Sequence, residues 1–146
     1  MLLGYDMIKI PREISRKISY HGEKTYPEEC CGVMFGTERD GVRKVIEIVE
    51  LHNRQDDHRD TRFLITPDQY REVEKLAREK HLLLLGIYHS HPDHPAEPSQ
   101  YDLEHAFPWF SYVIQTIEGK HAGVLTTWVL SDDRSRFSQQ PVSLEE

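Results

Sequence analysis

Isoleucines at positions 14 and 18 recur one helical turn apart, with Arg12, Glu13, Arg16 and Lys17 between them. That spacing predicts a short amphipathic helix ending near His21 and Gly22. Ile8 and Ile10 alternate ahead of it as a strand does, and Pro11 suits a first helical position. Next come Cys31, Val33 and Phe35, alternating with Gly32, Met34 and Gly36, small or apolar on both faces as in a buried strand. After a polar turn at 37–41, residues 42–51 alternate Val45, Glu47 and Val49 against Ile46 and Ile48, which predicts the hairpin partner. A charged loop at 52–62 and an extended piece at 63–65 lead to Thr66-Pro67, a strong helix start. The stripe Tyr70, Val73, Leu76 and Ala77 carries that helix to about His81. Residues 82–88 form the most apolar run and predict a central strand, which breaks at Pro92. A short helix at 102–105, strands at 109–117 and 122–130 and an edge strand near Phe137 or Val142 complete the pattern. The expected architecture is α/β, a sandwich with a mixed, largely antiparallel sheet flanked by helices.

Composition narrows this picture. The 146 residues are expected to form a single domain, with a core over about 8–130 and a tail at 131–146. A formal charge of −7 argues against nucleic acid and against anionic membranes as partners. The longest apolar run is too short to span a bilayer, and the N-terminal residues lack the basic-then-apolar pattern of a secretory leader. The two cysteines, Cys30 and Cys31, are adjacent and poorly placed for a structural disulfide, so a cytoplasmic protein is expected.

The chemistry concentrates in residues 86–102. His89 and His91 are two apart on a strand and project from one face. Asp102 returns after ten intervening residues, enough chain to bring a third ligand to the same ion. Two histidines and one carboxylate leave a position for water on Zn²⁺, the arrangement of a catalytic rather than a closed structural site. A carboxylate outside that shell is then needed to move the water's proton. Ser99-Gln-Tyr-Asp102 also reads as a helix capping box, a structural role for Ser99 and Asp102 that is compatible with ligation. Asp93, His94 and Glu97 compete as ligands on spacing alone, but lie among prolines and read as solvated. The cysteines read as small core residues beside the site.

His89-Ser-His91-Pro, then Pro98-Ser99, then Asp102, with Glu29-Cys-Cys-Gly32 upstream, resembles the JAMM (MPN-plus) metallopeptidase family, in its short free-standing bacterial form. The resemblance runs from about Ile8 to Leu130. It implies a fold similar to the zinc deaminases (cytidine-deaminase-like), with zinc on His89, His91 and Asp102. Glu29 rather than Glu28 would be the general acid/base, since the family's Glu lies three residues before the strand glycine, here Gly32. Ser99 would donate its hydroxyl to the oxyanion or orient the water. The deaminase signature itself is missing from the sequence.

The resemblance implies a zinc-dependent peptidase or isopeptidase that hydrolyses the amide bond after the Gly-Gly tail of a ubiquitin-like sulfur carrier protein. A side-chain-free tail suits a narrow groove beside an edge strand, with the 42–51 hairpin or the loop near His58 as its expected wall. The alternatives are a metallohydrolase of small peptides or amides and a non-catalytic binding module. A homodimer is compatible with the sequence.

Overall fold

The structure, a computed structural model, describes residues 7–145. The expectation about a leader falls on residues outside that range. In chain order the elements are β1 (Met7–Pro11), α1 (Arg12–Thr25), β2 (Cys31–Arg39), β3 (Val42–Leu51), α2 (Pro67–Glu79), β4 (Leu83–Pro92), α3 (Gln100–His105), β5 (Ser111–Glu118), β6 (His121–Leu130), β7 (Phe137–Gln140) and β8 (Val142–Glu145). The strands form one eight-stranded mixed sheet in the order β7-β6-β5-β4-β2-β3-β1-β8. β4 runs parallel to β5 and antiparallel to β2.

The sheet is rolled, and the tail shows why. Gln140 pairs with Thr127 on one edge and Val142 pairs with Ile8 on the other, with only Pro141 between them. Cα atoms two residues apart lie within about 7 Å, so the two edges must approach each other there. The single edge strand expected in the tail is therefore two strands, one on each edge.

The roll encloses α1. Ile14 and Ile18 pack with Ile8, Met34, Val45, Leu85, Tyr88 and Val113, drawn from five strands. On the other face, Val73 and Ala77 of α2 and Leu103 of α3 pack over Phe35, Ile87 and Tyr112. The mixed sheet flanked by helices is thus what forms, and each helix turns its predicted stripe inward.

The differences from expectation have local causes. Helix α1 passes through Gly22 instead of ending there, because a Cβ at Gly22 would lie 2.7 Å from the Ile117 side chain; the bare backbone lets the helix seat on β5. Pro11 ends β1 and precedes the first helical residue. Three register shifts interrupt the sheet among the described residues, and the two in the β2 pairings break the simple alternation. One leaves Leu85 unpaired between β2 and β4, so Leu84 and Ile87, three apart, share one core while Leu85 and Tyr88 share the other. The second leaves Ile46 unpaired and 44% exposed, so Val45 and Ile48, not Val45, Glu47 and Val49, turn toward α1.

Arg43 is held at the first bulge. Its guanidinium is 3% exposed and donates to the Leu85 carbonyl (3.1 Å), Ser111 Oγ (2.8 Å), the Trp109 carbonyl (2.7 Å) and Glu38 (3.1 Å). Nothing in the local alternation marks it as buried. Arg43→Ala would deprive the Leu85 carbonyl at the bulge and the Trp109 carbonyl before β5 of this donor. It is expected to lower the unfolding free energy by about 2–4 kcal/mol, read as a shift in urea midpoint at constant slope.

Candidate metal centre

β2 and β4 are adjacent and antiparallel, so the entry of β2 lies beside the end of β4, with Cys31 opposite His89. Ser90 fastens the two: its Oγ accepts from the Cys30 amide (2.8 Å), and its amide donates to the Cys30 carbonyl (3.2 Å). Lying between the two histidines, Ser90 points to the opposite face, which frees both imidazoles for the α2 side. Glycine at 32 lets Tyr88 lie across it: a Cβ there would stand 2.3 Å from that ring.

His89 and His91 are buried on that side. Their Nε2 atoms are 3.1 Å apart and lie 3.3 and 3.2 Å from Asp102 Oδ2. The three sequence-predicted ligands therefore converge on one point. His91 Nδ1 donates to the Pro95 carbonyl (2.7 Å), which turns Nε2 inward as a lone-pair donor. His89 is fixed by Phe63, stacked on it at 4.5 Å.

Asp102 reaches this point through a cap. Ser99 Oγ accepts from the Asp102 amide (3.0 Å), and the Ser99 amide donates to Asp102 Oδ2 (2.9 Å), a complete capping box. The oxygen that closes the cap is the one facing the imidazoles, so capping and convergence fall on a single atom. Burial alone would raise the Asp102 pKa, but the charges and hydrogen bonds of His89 and His91 outweigh it and hold the carboxyl far below its usual range.

Glu29 is the opposite case. It is 1% exposed, and among the described residues neither carboxyl oxygen has a hydrogen-bond partner. Burial, reinforced by the carboxylates of Asp102 and Asp60, pushes its pKa up to about 10. Its backbone belongs to no strand; its amide donates to the Arg59 carbonyl (2.6 Å) and its carbonyl accepts from Asn53 (3.1 Å). His94, expected in solvent, is half-buried and stacked on His91 at 4.1 Å, with Nε2 4.0 Å from Glu29. Asp93 is exposed but tied down, accepting from Tyr26 and from the Gly119 amide. Glu97 is exposed, and both cysteines are buried and free.

The donor set fits a metal ion. A tetrahedral site with bonds of about 2.0–2.2 Å has ligand–ligand edges of about 3.3–3.5 Å, close to the separations seen here. Two imidazole nitrogens at 3.1 Å cannot both carry protons, and His91, whose Nδ1 donates to Pro95, presents its Nε2 lone pair toward the point shared with His89 and Asp102. The unpartnered, buried Glu29 carboxyl beside them is a group whose charged form calls for a nearby cation. A cavity of about 450 Å³, lined by Phe63, Tyr70, Ile87 and Phe107, opens onto His89 and Asp102.

With this geometry in place, the chain matches the family described as prokaryotic homologs of the JAB domain over residues 11–131. The chain belongs to that family. It is 31% identical over 119 residues to the probable TtuB-protein conjugate cleaving protease of Thermus thermophilus, covering 82% of this chain and 76% of the relative. It is 27% identical over 118 residues to the desampylase of Pyrococcus furiosus, covering 80% and 76%. The solution structure of a Desulfitobacterium hafniense protein superposes with a TM-score of 0.83 at 27% identity, over 96% of this chain and 94% of that one. The chain is thus a hydrolase of the JAB family, a metal-dependent group.

The converging residues were legible in the sequence, whereas Asn53, Phe63, Pro95 and Ser90, which hold them, were not. Only Ser90, framed by two histidines, carried a local signal.

Glu29 has an ordinary value near 4.5 and rises to about 10 in the fold, so across that window the folded state holds a proton the unfolded state has lost. Stability then falls as pH rises through it. Stripped of metal by a chelator, the protein is expected to lose thermal stability between about pH 5 and 9, and Glu29→Gln should flatten that slope. Equal slopes in the two proteins would contradict the buried, neutral Glu29.

Proposed function

We propose that this chain is a zinc-dependent peptidase or isopeptidase that hydrolyses the amide bond following the Gly-Gly tail of a ubiquitin-like sulfur carrier protein. The observation that carries the reading is the convergence of His89 Nε2, His91 Nε2 and Asp102 Oδ2 beside a buried carboxyl, Glu29, that has no hydrogen-bond partner among the described residues. The two relatives support the substrate class, since one is named for cleaving TtuB–protein conjugates and the other as a desampylase.

His89, His91 and Asp102 would hold the ion. Bound there, zinc supplies an acidified water and polarises a carbonyl. Beside that positive ion Glu29 would be held in its charged form, and the carboxylate would then take the proton of the attacking water and deliver it to the leaving amine. Its burial suits both transfers, because a carboxyl shielded from solvent keeps the proton it has taken until the amine requires it. Ser99 Oγ already accepts the Asp102 amide, so its own proton is available for the developing oxyanion.

β1 pairs with β3 over Val42–Lys44 alone, at the end of the strand away from Cys31. The loop at 52–62 is the wall nearest the chemistry: it holds Glu29 and reaches α3, where Tyr101 donates to Gln55 (2.8 Å). In this reading the extended glycine tail enters past that loop.

Two measurements test the proposal. Glu29→Gln is expected to keep one equivalent of zinc and lose at least about 100-fold in kcat, whereas His91→Ala loses both metal and turnover. Full activity in Glu29→Gln would rule out the assigned base. Separately, a carrier ending in Gly-Gly plus a short extension should be trimmed after the second glycine, while free dipeptides are left intact. Rapid dipeptide hydrolysis without carrier cleavage would favour a small-peptide hydrolase instead.

A further inference from the structure

Glu29 lies between α1 and β2, in a stretch that belongs to neither a helix nor a strand. Among the described residues its carboxyl has no hydrogen-bond partner, with His94 Nε2 4.0 Å away, so its placement depends chiefly on how the backbone is held. The backbone is held by the loop after β3, and that loop is organised by one side chain.

Asn53 is 8% exposed. Its Nδ2 donates to the Glu29 carbonyl (3.1 Å) and the Arg62 carbonyl (3.0 Å). Its Oδ1 accepts from the Gln55 amide (3.0 Å) and the Leu64 amide (3.1 Å). All four hydrogen-bonding positions of the amide are used, which no other uncharged side chain of this size can do. Its bonds run in two directions. One reaches Glu29. The others reach Arg62 and Leu64, the two neighbours of Phe63, whose ring stacks on His89. A single buried amide thus joins the unpartnered carboxyl to the segment that packs against the converging imidazoles.

We infer that Asn53 is a positioning residue for hydrolysis: it fixes Glu29 relative to the His89–His91–Asp102 cluster, and its removal costs turnover through Glu29 and not through the fold or the metal. This inference rests on the reading of Glu29 as general acid/base. A misplacement of about 1 Å of a reacting group can cost about 100-fold in rate, so a fully satisfied anchor for Glu29 has a kinetic consequence even though it never touches substrate.

A double-variant cycle distinguishes this from a merely structural role. Asn53→Ala is expected to lower kcat by about 10–100-fold with KM changed by less than about 3-fold and zinc content unchanged. In a Glu29→Gln background the same change should leave the residual turnover unaltered, because the group it positions is gone. Loss by the same factor in both backgrounds would overturn the inference, as would zinc loss that tracks the loss of activity. Full activity in Glu29→Gln alone would defeat the reading of Glu29 first, and this inference with it. Hydrogen exchange supplies a readout independent of turnover. In Asn53→Ala the Gln55 and Leu64 amides, which donate to Asn53 Oδ1, should exchange faster while those of β4 keep their protection; unchanged exchange at both would refute the anchor. Should Asn53→Ala fail to fold, Asn53→Asp serves in both arms, since it keeps the two acceptor bonds and loses the two donated ones.

Discussion

One carboxylate oxygen, Asp102 Oδ2, accepts the Ser99 amide and faces two imidazole nitrogens at once. The helix cap and the converging cluster are therefore a single structure. A side chain carried by a six-residue helix would ordinarily be poorly fixed, since so short a helix has little stability of its own. Here the cap fixes the first turn, and the turn fixes the carboxylate. The histidines come from the opposite kind of element, a central strand bonded on both sides. The site thus joins a rigid pair to a capped third group, and its geometry depends on how α3 is laid against β4.

Around that point the polar groups divide into the satisfied and the unsatisfied. Arg43, Asn53, Ser90 and Gln115 are buried with partners, as buried polar groups usually are. The Glu29 carboxyl oxygens and His89 Nδ1 are buried without them. Leaving a carboxyl in that condition costs stability unless a cation stands nearby, and two of the orphaned groups lie at the same cluster. That concentration is what a site retained for chemistry and not for stability looks like.

The chemistry-bearing residues were legible because their signals are local. Residues two apart on a strand share a face whatever surrounds them, so His89 and His91 could be paired from the sequence. The cap residues Ser99 and Asp102 announce themselves by spacing, and Thr66 and Gln69 form the second capping box at α2. Glu29 was selected only by resemblance. In the chain it is one of two adjacent acids, and the antiparallel register of β2 on β4 is what brings it to the histidines. The hairpin alternation in β3 misled for a related reason. A bulge inserts one residue and exchanges the faces beyond it, and nothing in the β3 sequence says where its partner will skip.

The sequence by itself determined the order of the main helices and strands, the inward stripes of α1 and α2, and three metal-ligating side chains, two histidines and an aspartate, at a spacing suited to one ion. These follow from backbone periodicity and capping, which act over a few residues. Tertiary structure alone decided that the sheet rolls until its edges approach each other at Pro141, that β1 pairs with β3 over Val42–Lys44, and that Arg43 is buried. It also decided that Asn53, some twenty residues beyond Glu29 and in a charged loop, would hold that residue's backbone. Such outcomes depend on strand order and register, contacts between residues far apart in the chain, whose partners no local pattern encodes.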